Sequence, residues 1–309
     1  MLILGSVILS RISTFYNVVH SYTNCFSNNE DEIVTLNSSY SAKITPSSGY
    51  KYCGGLIIMG GVDITSDVYD MNTGLISIPK VTGDIEIKME AISTFANTSW
   101  FAIRNVAQNN LVSDVGWNIG DTKSVGNASY TARICDTLSG RYSYYDNEDK
   151  KTNIVIEFIE TYPSKVVYNS SGSNTNGWSG SYLRTFTNTT ILQSLPEELT
   201  SVLDNIKIPC STRSQGVLYS SDKLFSPAGN EIGLGSFEGS TSISTTQFGY
   251  YQQQGINARK KYPLGGGNSQ WWSRDVNTYN AETFSLIQDG SGIMALANSS
   301  RNVGIYFAW

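Results

Sequence analysis

The residues that could carry chemistry are few and poorly spaced for it. His20 is the single histidine, so a Ser/His/Asp or Cys/His nucleophile system has no base beyond the first stretch of the chain. A histidine-bearing zinc site is excluded in the same way. Cys25, Cys53, Cys135 and Cys210 lie far apart with no Cys-x-x-Cys spacing, giving neither a zinc site nor a dense disulfide scaffold. A Cys25–Cys53 bridge stays open, because spacing alone does not decide it. A carboxylate pair could run a glycosidase, but Glu197 and Glu198 read as acidic residues stabilising a helix N-terminus. The acidic runs 29–32 and 146–149 offer oxygens for calcium without the spacing of a calcium loop, and are expected to be solvated. Gly265-Gly266-Gly267 lacks the helix signature of a phosphate cradle and reads as a flexible loop. No catalytic residue, metal ligand or cofactor is assigned, and the chain is expected not to be an enzyme.

What remains is surface chemistry. Tyr250, Tyr251, Trp272, Arg274, Tyr279 and Asn280 lie in a region dense in Gly, Asn, Ser and Gln. Aromatic rings supply contact area at little conformational cost and amides supply adaptable hydrogen bonds, a combination that suits sugar rings. These are the candidate carbohydrate-binding residues. Trp271 and Trp272 alternate along a strand, so one of the two is expected in the core. Arg274 is expected either to meet an acidic group on a polymer or to pair with Asp275 or Asp289. A net charge of −5 excludes the basic surface that nucleic acid requires. The one basic cluster, Arg259-Lys260-Lys261, is expected to be a solvated turn.

The elements that must position these residues are mostly strands. At 309 residues with only 15% charged side chains, the chain is long enough for two β-rich domains whose loops bond through neutral polar groups. The spacing predicts an N-terminal arm over 1–17, a small β-sandwich over 18–92 and a larger α+β domain over 93–309. Met1–Leu9 is apolar but too short to span a bilayer, and is read as a strand or docking arm, with a weak signal sequence as the alternative. In the sandwich, Tyr40–Thr45 and Ile85–Ala91 alternate, whereas Leu56–Met59 and Leu75–Ile78 are short apolar strands.

Beyond a junction at Thr94–Trp100, Phe101-Ala102-Ile103, Trp117–Asp121 and Ala132–Cys135 read as early strands and turns. Asn153–Ile159 is the strongest strand and Asn169–Gly180 a surface loop. Ser194-Leu195-Pro196-Glu197 reads as a capping box opening a helix to Ile206, with a Leu195, Leu199, Val202, Leu203, Ile206 stripe. Tyr182, Phe186 and Leu192 suggest a shorter helix before it. The last stretch forms a meander over Gln270–Asp275, Thr283–Gly290 and Asn302–Phe307. Asp289-Gly290 is placed for a type I′ hairpin turn, and the closing strand is expected in the middle of a sheet. Asn-x-Ser/Thr triplets at Asn37, Asn97, Asn127, Asn169, Asn188 and Asn298 are what so polar a composition gives by chance, and are not read as glycosylation.

Two resemblances sharpen this. The runs Met59–Thr65 and Ile78–Ile85 resemble the immunoglobulin-like repeat module of surface and phage virion proteins of Gram-positive bacteria. The segments Gly177–Phe186, Ile191–Leu203, Ser220–Ile232, Gln247–Tyr251, Gln270–Asp275, Phe284–Gly290 and Asn302–Phe307 are similar, in order, to an uncharacterised family. That family occurs at the C-termini of phage tail, fibre and cell-surface proteins and resembles C-type-lectin-type folds. Ser273 stands where that family carries an apolar residue, and the last strand lacks its Arg-Pro. The resemblance implies an immunoglobulin-like sandwich followed by a C-type-lectin-like domain with two short helices, and any binding would be metal-independent. It further implies a bacteriophage structural protein on the virion surface, in a tail fibre, baseplate or capsid fibre. Such a protein would attach to host cells as a receptor-binding component, with other virion proteins and host surface polysaccharide as partners. A trimer or another symmetric assembly is expected, with no nucleic acid bound and no membrane insertion. A secreted or wall-associated adhesin is the alternative. An enzyme on a formylglycine-generating-enzyme-like scaffold is a second alternative, which Cys135 and Cys210 do not favour because they show no pairing in sequence.

Overall fold

The computed structural model describes residues 14–30, 32–126, 130–213, 216–234, 246–267, 269–277, 279–280 and 282–309. The protein is mostly β, with several sheets and a few short helices. It divides into two compact units, residues 1–93 and 94–309. The expected N-terminal strand or signal over Met1–Leu9 lies outside the described residues.

The smaller unit is built from β1 (Phe15–Thr23), β2 (Cys25–Ser27), β3 (Ile33–Thr35), β4 (Tyr40–Pro46), β5 (Cys53–Met59) and β6 (Val62–Asp63). A single helical turn, α1 (Thr65–Val68), leads to β7 (Tyr69–Asp70), β8 (Leu75–Ile78) and β9 (Ile85–Ala91). One sheet runs β3-β1-β9-β5-β6 and the other β2-β4-β8-β7. Pairing is antiparallel except where β1 lies parallel to β9. The period-two pattern explains the layering: Tyr40, Ala42 and Ile44 of β4 and Ile85, Ile87 and Met89 of β9 are buried in a shared core with Ile57, Ile76 and Ile78. Gly55 is required by backbone approach, since a Cβ there would sit 1.9 Å from the Lys88 carbonyl oxygen. Cys25 and Cys53 are free thiols, and Cys25 Sγ donates to the Met89 carbonyl at 3.3 Å.

The larger unit opens with a helix, α2 (Trp100–Gln108), where strand and turn were expected for Phe101-Ala102-Ile103. Ser99 caps it by accepting from the Ala102 amide, and Trp100, Ile103, Val106 and Ala107 form its buried face. Then come β10 (Thr122–Val125), β11 (Tyr130–Asp136), β12 (Ser143–Tyr144), β13 (Val155–Phe158) and β14 (Val166–Val167). The helical stretch α3 (Tyr182–Phe186) continues through a π-helical turn into α4 (Leu192–Ser194), and α5 (Glu197–Thr200) follows. Next are β15 (Ile206–Ser211), β16 (Val217–Asp222) and α6 (Gly249–Gln254). The unit closes with β17 (Gln270–Val276), β18 (Thr283–Gln288), β19 (Ser291–Leu296), β20 (Ser300–Val303) and β21 (Tyr306–Ala308). These strands form three sheets, ordered β10-β11-β13-β21, β12-β15-β16 and β14-β20-β17-β18-β19.

The β18–β19 hairpin closes through Asp289 and Gly290 at φ 50° and 88°, the paired left-handed conformations of a type I′ turn. β21 is not mid-sheet. It ends the four-stranded sheet beside β13, with a lone bridge from Tyr306 to Phe225 on its other edge, and Tyr306, Phe307 and Ala308 are all buried. The expected helix from Ser194 to Ile206 is also corrected. Ser194 ends α4 and its Oγ donates back to the Ile191 carbonyl; beyond it only Glu197–Thr200 is helical, with Pro196 as the cap without a side-chain bond. The stripe itself is buried at Leu195, Leu199, Val202, Leu203 and Ile206, because a turn and the start of β15 present it as well as a helix would. The loop at Asn169–Gly180 is pinned rather than free, since Asn174 and Trp178 are fully buried.

Leu199 has no exposed surface, so Leu199→Ala should lower unfolding stability by roughly 2–5 kcal/mol. Chemical denaturation checks this, and a neutral outcome would place the stripe at solvent.

Candidate functional site

The structure scatters the candidate carbohydrate-binding residues. Trp272 and Arg274 lie on β17, six of whose seven residues are buried, and Tyr251 is equally buried on α6. Trp271 and Trp272 are both core, because β17 is covered on its two faces and alternation no longer separates inside from outside. Trp272 Nε1 donates to the Val166 carbonyl at 2.9 Å, and its ring meets that of Tyr168 edge-on at 5.3 Å. Trp271 leaves no room beside it: a Cβ at Gly304 would come within 2.7 Å of its ring. Tyr251, Trp272 and Arg274 therefore present nothing to a polymer.

Tyr250 is half-buried under the Arg133 guanidinium, 3.7 Å from its ring centroid. Only Tyr279, 84% exposed, and Asn280 face solvent. Their turn is fixed by Asn174, whose Nδ2 lies within 2.9 Å of the carbonyls of Asn277, Asn280 and Thr283.

The buried polar residues are instead structural. Glu157 of β13 accepts from Arg133 Nε at 3.0 Å, from Tyr251 Oη at 2.6 Å and from Lys261 Nζ at 2.7 Å. Tyr251 and Tyr306 hydroxyls are linked at 2.5 Å. Burial opposes the charge of Glu157, but the Lys261 and Arg133 cations outweigh it and hold the carboxyl down at about 2. Lys261, expected in a solvated turn, is thus fully buried. Arg259 beside it donates to the carbonyls of Ile232, Gly233 and Gly290, leaving Lys260 as the exposed member of that cluster.

Arg274 pairs with neither Asp275 nor Asp289. It makes a fully buried two-pronged ion pair with Glu231, Nη1 to Oε2 at 2.7 Å and Nη2 to Oε1 at 2.5 Å. Its remaining donors reach the carbonyls of Pro209 and Ser226 at 2.9 Å. Tyr142 Oη donates to Glu231 Oε1 at 2.6 Å and the Ala228 amide donates to Glu231 Oε2 at 2.8 Å, so both oxygens of the pair are occupied. Asp275 accepts from the Gly229 amide, and burial pushes its carboxyl up to about 6. Asp222, equally buried, accepts from Trp178 Nε1 and Arg184 Nε at 2.8 and 2.6 Å. Cys210 stays a thiol, pushed up to about 11 by burial and bonded to Ser220.

The exposed aromatic surface that sequence reading missed is the outer face of β12-β15-β16. Tyr219 of β16 is 57% exposed and Tyr145, just past β12, is 48% exposed. Tyr219 pairs with Pro209, which puts its ring on the Lys207 side of the sheet, and Tyr145 continues the β12–β15 pairing one residue past β12 by donating its amide to the Asn205 carbonyl. Lys207 Nζ lies 4.5 Å over the Tyr219 ring and 2.6 Å from Glu148. The signal for Tyr219 was the outward position of an aromatic in a strand whose inward residues are Ser220 and Asp222, and it is weak in sequence because those inward residues are polar. Among the described residues no group of three His, Cys, Asp or Glu side chains is placed to hold a metal. No described helix is long and apolar enough to cross a membrane.

Residues 149–305 match the family described as "Domain of unknown function (DUF6273)", and the chain belongs to that family. No curated protein and no solved structure matches it.

Two predictions follow from the buried charges. Removing one partner of the Glu231–Arg274 pair, as in Glu231→Ala, should cost about 3–5 kcal/mol, measured by denaturation. The pH dependence should have a maximum. Asp275 has a folded value near 6 against an ordinary 3.8, so lowering pH from 7 towards 5 should raise stability as the costly buried charge is neutralised. Glu157, near 2 when folded against an ordinary 4.5, should remove stability as pH falls below about 4.5. Thermal unfolding against pH checks both arms, and Asp275→Asn should flatten only the upper one.

Proposed function

We propose that this DUF6273 member is a non-enzymatic structural protein of a phage or phage-like particle, displayed on the virion surface, that binds host-surface polysaccharide. In this reading the smaller unit is an immunoglobulin-like spacer. Its two sheets around one buried core support that assignment. The larger unit is a C-type-lectin-like display domain, supported by its mixture of short helices and sheets around a core rich in buried aromatic residues.

The observation that carries the reading is the division of labour among polar side chains. Glu157, Glu231, Asp222 and Asp275 are buried and engaged by protein donors, while Tyr145, Tyr182, Tyr219, Tyr262 and Tyr279 are exposed on the described surface. Buried, saturated carboxylates stabilise a scaffold and do not take or give protons to a substrate. Exposed tyrosines with neighbouring amides are suited to sugar faces. A symmetric assembly, a trimer in the simplest case, would multiply weak sites into useful avidity.

The full chain should bind Gram-positive cells or their purified wall polysaccharide equally with and without EDTA. Loss of binding on chelation would overturn metal independence, and absence of binding to any wall fraction would overturn the receptor-binding role. Mass spectrometry of purified particles separates virion from adhesin, because an adhesin would be found in the cell-wall fraction and not in particles.

A further inference from the structure

Resting on that reading, we propose that the polysaccharide is bound on the outer face of the β12-β15-β16 sheet, by Tyr145, Lys207 and Tyr219, and that it is an uncharged oligosaccharide stretch. None of these three is among the residues that sequence alone put forward.

The argument begins with burial. The inner face of this sheet is closed: Tyr144, Ile206, Ile208, Cys210, Ser220 and Asp222 are all buried. Strand alternation then turns the intervening residues outward, Tyr219 among them, and Tyr145 follows the buried Tyr144 directly beyond the end of β12; both tyrosines remain about half exposed. A ring held on a paired strand, as Tyr219 is, or on backbone bonded to one, as Tyr145 is, loses less freedom on binding than one on an unbonded loop, which lowers the cost of ordering it. Tyr145 aligns with Asn205, the residue before β15, and Tyr219 with Pro209 of β15, four residues further on. That separates the rings by about 13 Å along the strands, wider than one sugar ring and suited to a short oligosaccharide.

The polar groups between the rings select the ligand. Lys207 lies over the Tyr219 ring and is neutralised by Glu148, and Lys151 Nζ donates to Ser143 Oγ at 2.8 Å and to the Glu148 carbonyl. Counted over the loop 145–151 together with Lys207, Asp146, Glu148 and Asp149 balance Lys150, Lys151 and Lys207, so the face offers donors and acceptors side by side without a net positive charge. A polyanion would have to displace Glu148, whereas hydroxyls can bond to Lys207, Glu148 and Ser143 together. Charge balance thus favours a neutral glycan over wall teichoic acid or another anionic chain.

The test is equilibrium binding of the full chain to neutral wall polysaccharide and, separately, to wall teichoic acid. Tyr145→Ala and Tyr219→Ala should each weaken neutral polysaccharide binding about tenfold, with unchanged melting temperature because both rings are exposed. Tyr219→Phe should bind like the parent, since the stacking face is kept. If the parent chain binds and both alanine variants bind equally well, this face is not the site, although the polysaccharide-binding role stands. Preferential binding to teichoic acid would overturn the neutral-ligand assignment. A parent chain that binds neither polymer overturns the receptor-binding reading and this inference with it.

Discussion

The larger unit depends on charges that cannot reach water. The Arg274 guanidinium is fully buried on β17 and bonds Glu231, the Pro209 carbonyl of β15 and the Ser226 carbonyl. Those contacts join the five-stranded sheet to the three-stranded one and to the segment between β16 and α6. Desolvating both ions is expensive, so the arrangement is tolerable only because every guanidinium nitrogen and both carboxylate oxygens are hydrogen-bonded. The Glu157 cluster ties β13 to its neighbours in the four-stranded sheet, β11 through Arg133 and β21 through Tyr306, and holds α6 against that sheet through Tyr251. Apolar packing alone tolerates sliding between layers. Directional ionic contacts at the layer boundaries fix how one sheet sits on the next.

That constraint explains why the aromatic-rich stretch near the C-terminus is scaffold and not a binding surface. Trp271, Trp272 and Tyr306 fill the space around the two charge clusters, and the Lys261 ammonium lies 4.8 Å from the Tyr306 ring centroid. Large rings exclude water from the ion pairs, which strengthens the electrostatics that remain. The three-stranded sheet is the converse case. Its inner face is fixed by the Arg274 contact to Pro209 and by Asp222, so its outer face is rigid without being covered.

Local pattern was legible wherever neighbours in sequence decide the outcome. The Asp289-Gly290 turn and the alternation of β4 and β9 are of this kind, since φ > 0 and period-two burial are properties of a few adjacent residues. The Ser99 cap and the Trp100, Ile103, Val106, Ala107 spacing of α2 were also present in the sequence, but the aromatic and β-branched start of that segment was read as strand. What could not be read were partners far along the chain. Glu231 meets Arg274 across 43 residues and Glu157 meets Tyr251 across 94. Without them Arg274 looks like a surface charge and Lys261 like part of a basic loop. Helical spacing at Leu195–Ile206 predicted burial correctly and helix incorrectly, because a turn leading into a strand can present the same residues to the core.

The same reasoning bears on where binding surfaces can arise in this architecture. A side chain contributes to recognition only if its polar atoms remain available, and those of the buried networks are engaged inside the fold. Variation at Glu157, Glu231 or Arg274 would therefore act on folding first and on any ligand only indirectly. Outward positions on β15 and β16 carry no such penalty, since Lys207, Val217 and Tyr219 support no layer contact of the kind made by Arg274. A scaffold stabilised by saturated internal charges can thus exchange the residues on an exposed sheet face while keeping its fold. This physical arrangement separates what the molecule must conserve for stability from what it can alter for binding.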